Sequence, residues 1–235
     1  MPAPHPPALR AGPSLSPRAL GEGRGEGPAR RRRAVLFDLL TALIDSWTLW
    51  DGVAGNREVG RRWRAAYLNL TYGAGPYRPY EQLAREAAQE VGLAPALADE
   101  LAARYGELQP WPEVADLLGR LKKAVPLAVV TNCSEALGRI AAARTGIAFD
   151  VVVTAERAAF YKPHPRPYML ALEELGIAAE ECLFVAGSPY DLVGAAAVGL
   201  PVYWHDRIGM EPPHGAPPPL CRHASLAPLG PLVLG

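Results

Sequence analysis

The sequence predicts an α/β fold: a doubly wound parallel sheet, Rossmann-like in its core, with a helical cap inserted after the first strand. Three observations predict it. Five short apolar runs recur along the chain, rich in Val, Leu and Phe and not alternating with polar residues. That is the pattern of parallel strands covered on both faces. Helical patterns separate the later runs, as βαβ units require. One long interval, 46–109, carries helical patterns and no strand signal.

The runs are AVLFDL (34–39), PLAVVT (126–131), FDVVVT (149–154), CLFVAG (182–187) and PVYWH (201–205). Between the first and second, the interval reads as helices near 57–73, 80–91 and 95–106, broken by AGPYRP and GLAP. Residues 112–124 place Val114, Leu117, Leu118 and Leu121 on one helical face. The next helix starts at Ser134, a good N-cap, and stops at Gly146, a good C-cap. Segments 165–176 and 188–199 also end on glycine. The expected division is therefore a core of 34–45 and 110–210, a cap of 46–109, and two flanking segments.

Both flanks are set apart by composition. Residues 1–33 are dense in Pro, Gly and Arg, and are expected to be disordered. They lack the apolar stretch of a secretory signal. Residues 211–235 are Pro-rich and are expected to be irregular chain packed on the core, because Pro blocks helix and central strand alike.

The 235 residues carry a formal net charge of +0, unevenly spread. Residues 1–33 hold seven Arg and two Glu, or +5; the rest hold 17 basic and 22 acidic residues, or −5. A mildly acidic body argues against nucleic acid as partner. No apolar run approaches the roughly 20 residues of a membrane span. Three cysteines without a CxxC pair suit a reducing, cytoplasmic setting.

In an open parallel sheet, ligands bind at the carboxyl ends of the strands. The first run carries Asp38 at its end. The second ends in Thr131 and Asn132; after the third comes YKPHPRPY with Lys162; the fourth runs into GSPYD with Ser188 and Asp191. Each residue has a plain structural reading: a turn or cap acid, a strand-end cap, a solvated lysine, a first-turn helix acid. Each also has a chemical one. A carboxylate between two apolar runs is costly unless paired or used. An ammonium near it keeps it ionised.

These four segments resemble, in order and spacing, the four motifs of the haloacid dehalogenase superfamily. The resemblance spans residues 34 to about 210. It implies that Asp38 is a nucleophile, that Thr131 binds the substrate anion, that Lys162 balances charge, and that Ser188 and Asp191 complete the site. Phosphatases of the superfamily carry a second acid two residues after the nucleophile, where this chain has Leu40. They also carry a Mg²⁺-binding acid where this chain has Gly187. The two replacements point to the metal-free branch, the L-2-haloacid dehalogenases, with no cofactor; Mg²⁺ belongs only to the phosphatase alternative.

The segment RRWRAAYLNLTYG (61–73) is similar to that branch's first cap helix. The similarity implies that Arg64 and Asn132 hold a departing halide beside Leu40 and Tyr190. Trp47, Trp63 and Tyr67 are candidates for a dry wall with Tyr190. The implied reaction displaces halide from a 2-haloalkanoic acid through an aspartyl ester, and the implied assembly is a homodimer. Thr41-Ala42, in place of the branch's Gly-Thr, and Gly187-Ser188 depart from its pattern and leave the substrate open. A phosphatase, or a binding protein on a degenerate hydrolase fold, are the alternatives.

Overall fold

The structure is a computed structural model and describes residues 32–235. β1 (Ala34–Phe37) and the short β2 (Ile44–Asp45) lead into four helices: α1 (Ser46–Val53), α2 (Arg57–Ala74), α3 (Tyr80–Glu90) and α4 (Leu97–Ala103). β3 (Gln109–Pro110) returns the chain and pairs antiparallel with β2. Then strands and helices alternate: α5 (Val114–Leu121), β4 (Leu127–Thr131), α6 (Glu135–Ala143), β5 (Val151–Thr154), α7 (Ala155–Ala158), α8 (Pro165–Leu175), β6 (Cys182–Ala186), α9 (Asp191–Ala197) and β7 (Val202–His205). β8 (Cys221–His223) and α10 (Leu229–Leu234) end the chain. Among the described residues, no helix is long and apolar enough to cross a membrane.

The main sheet has the order β5-β4-β1-β6-β7-β8, all parallel. The chain winds outward from β1 in both directions, so the strand order reverses there. That reversal opens a crevice at the carboxyl end of β1. Every residue of β1 is fully buried, and its side chains divide between two apolar clusters. Val35 and Phe37 face the one that includes the helices after β2; Ala34 and Leu36 face the other, with Ala128, Val130 and Phe184. Burying a side chain such as Phe37 or Leu36 stabilises the fold by about 1.5–3 kcal/mol, which is why β1 can be apolar on both faces.

The five expected strands are present, with helices in the expected intervals. Several features differ from the sequence reading, among them the short β2–β3 pair that closes the 46–109 interval. Residues 46–53 form α1, where no helix was expected: Asp45 caps it by accepting from Thr48 N at 3.2 Å. Residues 211–235 are not uniformly irregular. Pro217–Pro219 precede β8, an edge strand that a neighbouring proline run does not disturb. Pro228 and Pro231 sit at the start of α10, where the missing N–H groups have no helical partner to lose. The predicted disorder of 1–33 lies outside the described residues except for its last two. Those are tied down: Arg33 N donates to Glu181 O at 2.8 Å and Arg32 reaches Glu180 O at 3.1 Å.

Two glycines set how closely elements approach the crevice. A Cβ on Gly187 would meet Ala42 N at 2.1 Å and Thr41 C at 2.4 Å. A Cβ on Gly194 would meet Pro163 O at 2.5 Å and the Tyr168 ring at 2.6 Å. α8 and α9 can touch only because α9 has no side chain there. Gly194→Ala is expected to lose about 1–3 kcal/mol by overpacking, measured as a lower urea midpoint at unchanged slope.

Candidate active site

The nine residues given a catalytic or anion-binding role by the sequence line one cavity of about 40 Å³ at the carboxyl end of the sheet. That is room for a few water-sized groups, on the scale of about 10–15 Å³ for one. Of the three aromatic wall candidates, Tyr67 lines the cavity and Trp47 and Trp63 do not. Asp38 leaves the end of β1, Thr131 ends β4, Lys162 follows β5, and Asp191 opens α9. α2 supplies the opposite wall with Arg64, Tyr67, Leu68, Thr71 and Tyr72. Their spacing of three and four residues places them on one helical face.

At the floor, Lys162 Nζ lies 2.9 Å from Asp38 Oδ1 and 3.1 Å from Asp191 Oδ1. All three side chains are less than a tenth exposed. Burial alone would push the Lys162 ammonium down; the Asp191 and Asp38 carboxylates outweigh it and hold it above the ordinary lysine value. Burial pushes Asp191 up to about 6, against the pull of Lys162 and with the repulsion of Asp38. Two carboxylates share one ammonium, so the trio carries a net negative charge. Tyr168 donates to Asp191 Oδ1 at 2.6 Å and relieves part of the cost.

Asn132 grips the backbone that carries the lysine. Its Oδ1 accepts from Lys162 N at 2.7 Å and its Nδ2 donates to Lys162 O at 3.0 Å. One amide N–H of Asn132 is left over. Thr131 Oγ1 contacts Cys133 Sγ at 3.7 Å. Ser188 Oγ accepts from Tyr190 N at 3.4 Å and shapes the loop into α9. Ala42 N–H contacts Asp38 Oδ2 at 3.3 Å.

Arg64 is nearly fully buried, 2% exposed. Its Nη2 reaches Thr41 Oγ1 at 3.2 Å and Leu40 O at 3.4 Å. Its Nε and Nη1 have no hydrogen-bond partner. Trp47 and Trp50 flank the guanidinium, with ring centres 4.9 and 5.5 Å away. A buried cation with unspent N–H groups is costly, and an anion in the cavity would satisfy it. At the mouth, Tyr190 packs on Tyr72 with ring centres 4.6 Å apart, and its hydroxyl donates to Asn69 Oδ1 at 3.1 Å. Trp63 is not part of the wall: it is fully buried among the helices and donates to Ala84 O at 2.8 Å.

Sequence reasoning missed Tyr168 and Trp50, and it took Thr41 only as a departure. A tyrosine on the buried face of α8, whose hydroxyl needs a partner, was the available signal for Tyr168. Thr41 touches Arg64 only through the fold.

A doubly wound sheet with buried acids and a lysine at its switch point defines an α/β protein whose site sits under a helical layer. The chain belongs to the haloacid dehalogenase-like hydrolases, whose family model matches residues 32–199. It is 31% identical over 194 residues to a (S)-2-haloacid dehalogenase of Pseudomonas fluorescens, covering 74% of this chain and 85% of that protein. It is 35% identical over 157 residues to a phosphoserine phosphatase of Thermus thermophilus, covering 63% and 62%. The fold matches the L-2-haloacid dehalogenase of Xanthobacter autotrophicus, solved with chloropropionic acid covalently bound. The TM-score is 0.76 at 24% identity, over 87% of this chain and 99% of that one.

Two outcomes follow from the buried trio. Lys162→Met strands two buried carboxylates and is expected to cost about 3–5 kcal/mol, while Arg166→Met, in an exposed pair with Glu173, costs at most about 1 kcal/mol. Denaturant titration at pH 7 checks both. Asp191 holds its proton more tightly when folded than unfolded. Its contribution to stability therefore falls as pH rises from 3.8 to about 6. Over that window Asp191→Asn gains stability relative to wild type, read from urea midpoints at each pH.

Proposed function

We propose that this chain is a metal-independent hydrolase that displaces halide from a small 2-haloalkanoic acid through an ester of Asp38. One observation carries the reading. A buried carboxylate and a buried guanidinium with unspent N–H groups line the same small cavity. The first suits a nucleophile and the second suits a departing anion.

An Asp38 oxygen attacks C2; the carbon–halogen pair leaves with the halide toward Arg64 and the free amide N–H of Asn132. Water then cleaves the ester, releasing the 2-hydroxy acid and a proton and restoring the carboxylate. Lys162, set by Asp191 and Asn132, holds its ammonium against Asp38 in a site with little water. Thr131 and nearby backbone N–H groups receive the substrate carboxylate; Ser188 shapes the loop, and Leu40 and Tyr190 supply apolar surface. Residues 46–109 act as a cap, and the small cavity favours substrates of two or three carbons. The free cysteines fit a cytoplasmic enzyme, and a homodimer is its proposed assembly.

A phosphatase reading draws on the similarity to the phosphoserine phosphatase. The residues present do not fit its hard divalent cation. Such an ion takes several oxygen ligands, whereas Lys162 Nζ stands between the two carboxylates. A side chain at position 187 would run into the backbone of Thr41 and Ala42. Leu40 also leaves no second acid to protonate a leaving group.

Halide release from 2-chloropropionate, beside phosphate release from an aryl phosphate, decides between them. Full activity on the haloacid in EDTA is expected, with Asp38→Asn losing on the order of 10³-fold or more. Arg64→Lys is expected to lower kcat by about 10²-fold. Phosphate release that needs Mg²⁺, or halide release that survives in Asp38→Asn, overturns the reading.

A further inference from the structure

The turn after β1 is gripped from outside the cavity. The peptide between Thr41 and Ala42 points its N–H at Asp38 Oδ2. The carbonyl of that same peptide, Thr41 O, accepts from Trp111 Nε1 at 2.9 Å. The next carbonyl, Ala42 O, lies 2.8 Å from His205 Nδ1. His205 ends β7 and is wholly buried. Arg207 joins both grips: its Nε donates to His205 Nε2 at 3.2 Å, and its guanidinium lies 4.7 Å from the Trp111 ring centre. Glu113 pairs with Arg207 and also accepts from Leu226 N at 3.4 Å.

These partners assign the tautomer. A carbonyl only accepts, so Nδ1 carries the hydrogen; a guanidinium only donates, so Nε2 carries the lone pair. We infer that His205, held as its neutral Nδ1–H tautomer by Arg207, is a positioning residue that anchors the adjoining Ala42 carbonyl and through it the orientation of the peptide facing Asp38. The inference rests on the proposed role of Asp38 and adds a residue outside the cavity to that site.

Burial, then the Arg207 charge, pushes the His205 imidazole below its ordinary value; Glu113 and the carbonyls of Ala42 and Ala224 oppose this. Arg207 and Glu113 are the charged groups that face it. From β8, the paired residue is His223, whose ring stacks on Tyr203 instead. Because the folded value is lowered, the support is complete above about 6.5 and fades as pH falls through the folded value. A proton on Nε2 then removes the acceptor of Arg207 and sets two cations against each other.

The test compares the full chain with His205→Val and His205→Asn, whose Nδ2–H can reach the same carbonyl. Two-bond ¹⁵N–¹H spectra at pH 7 are expected to show the Nδ1–H tautomer at His205; an Nε2–H tautomer overturns the inference. On a 2-haloacid, His205→Val is expected to lose about 10- to 100-fold in kcat with KM within about threefold. His205→Asn recovers most of that kcat even where its Tm falls as far. Equal kcat in the two variants at matched folding overturns the positioning role. If wild type releases no halide, the substrate reading fails alone. The Asp38 carboxyl ¹³C resonance then decides: displaced in His205→Val and restored in His205→Asn supports the inference, unmoved in both overturns it.

Discussion

The structure turns on one ammonium between two buried carboxylates. Lys162 arrives from the segment between α7 and α8, Asp38 from the end of β1 and Asp191 from α9, so three separate stretches of chain must be correct for the trio to close. Burial of any one alone would be strongly unfavourable. The neighbours read as responses to that constraint. Asn132 clamps the lysine backbone, Tyr168 donates to Asp191, and Gly194 lets the Tyr168 ring reach it. The net negative charge left on the trio is matched across the cavity by Arg64, which has donors to spare.

The loop after β1 links this trio to the rest of the sheet. Gly187 lets the Thr41-Ala42 backbone lie directly over the end of β6. The position where a metal-binding acid would stand in a related phosphatase is thus filled by main chain. Leu40, the residue in place of a second acid, faces the same cavity. Two replacements that look independent along the chain meet in space at one turn.

Much of this was legible because parallel strands announce themselves and their ends break the apolar pattern. Asp38, Thr131, Asn132, Ser188 and Asp191 stand where an apolar run stops or within a few residues of it, and Lys162 follows the third run by eight residues. The cavity brings them together because the strand order reverses at β1. What stayed hidden depends on pairings between residues on different elements. Nothing local ties Tyr168 to Asp191, Trp111 to Thr41, or Trp47 and Trp50 to Arg64. α1, β8 and α10 were hidden for a different reason. The tryptophans of α1 and the prolines beside β8 and in α10 blur the local signal; burial of one face holds α1 and α10, and pairing with β7 holds β8.

One wall of the cavity belongs to a single helix. Arg64, Tyr67, Leu68, Thr71 and Tyr72 are successive steps along one face of α2. Each residue turns a helix by about 100°. Inserting one residue ahead of Arg64 would therefore swing all five away from Asp38 at once, whereas replacing any one leaves the others aimed. Evolution can retune this wall letter by letter but cannot slide it. Indels in α2 should be purged, and specificity should drift by substitution at those five positions.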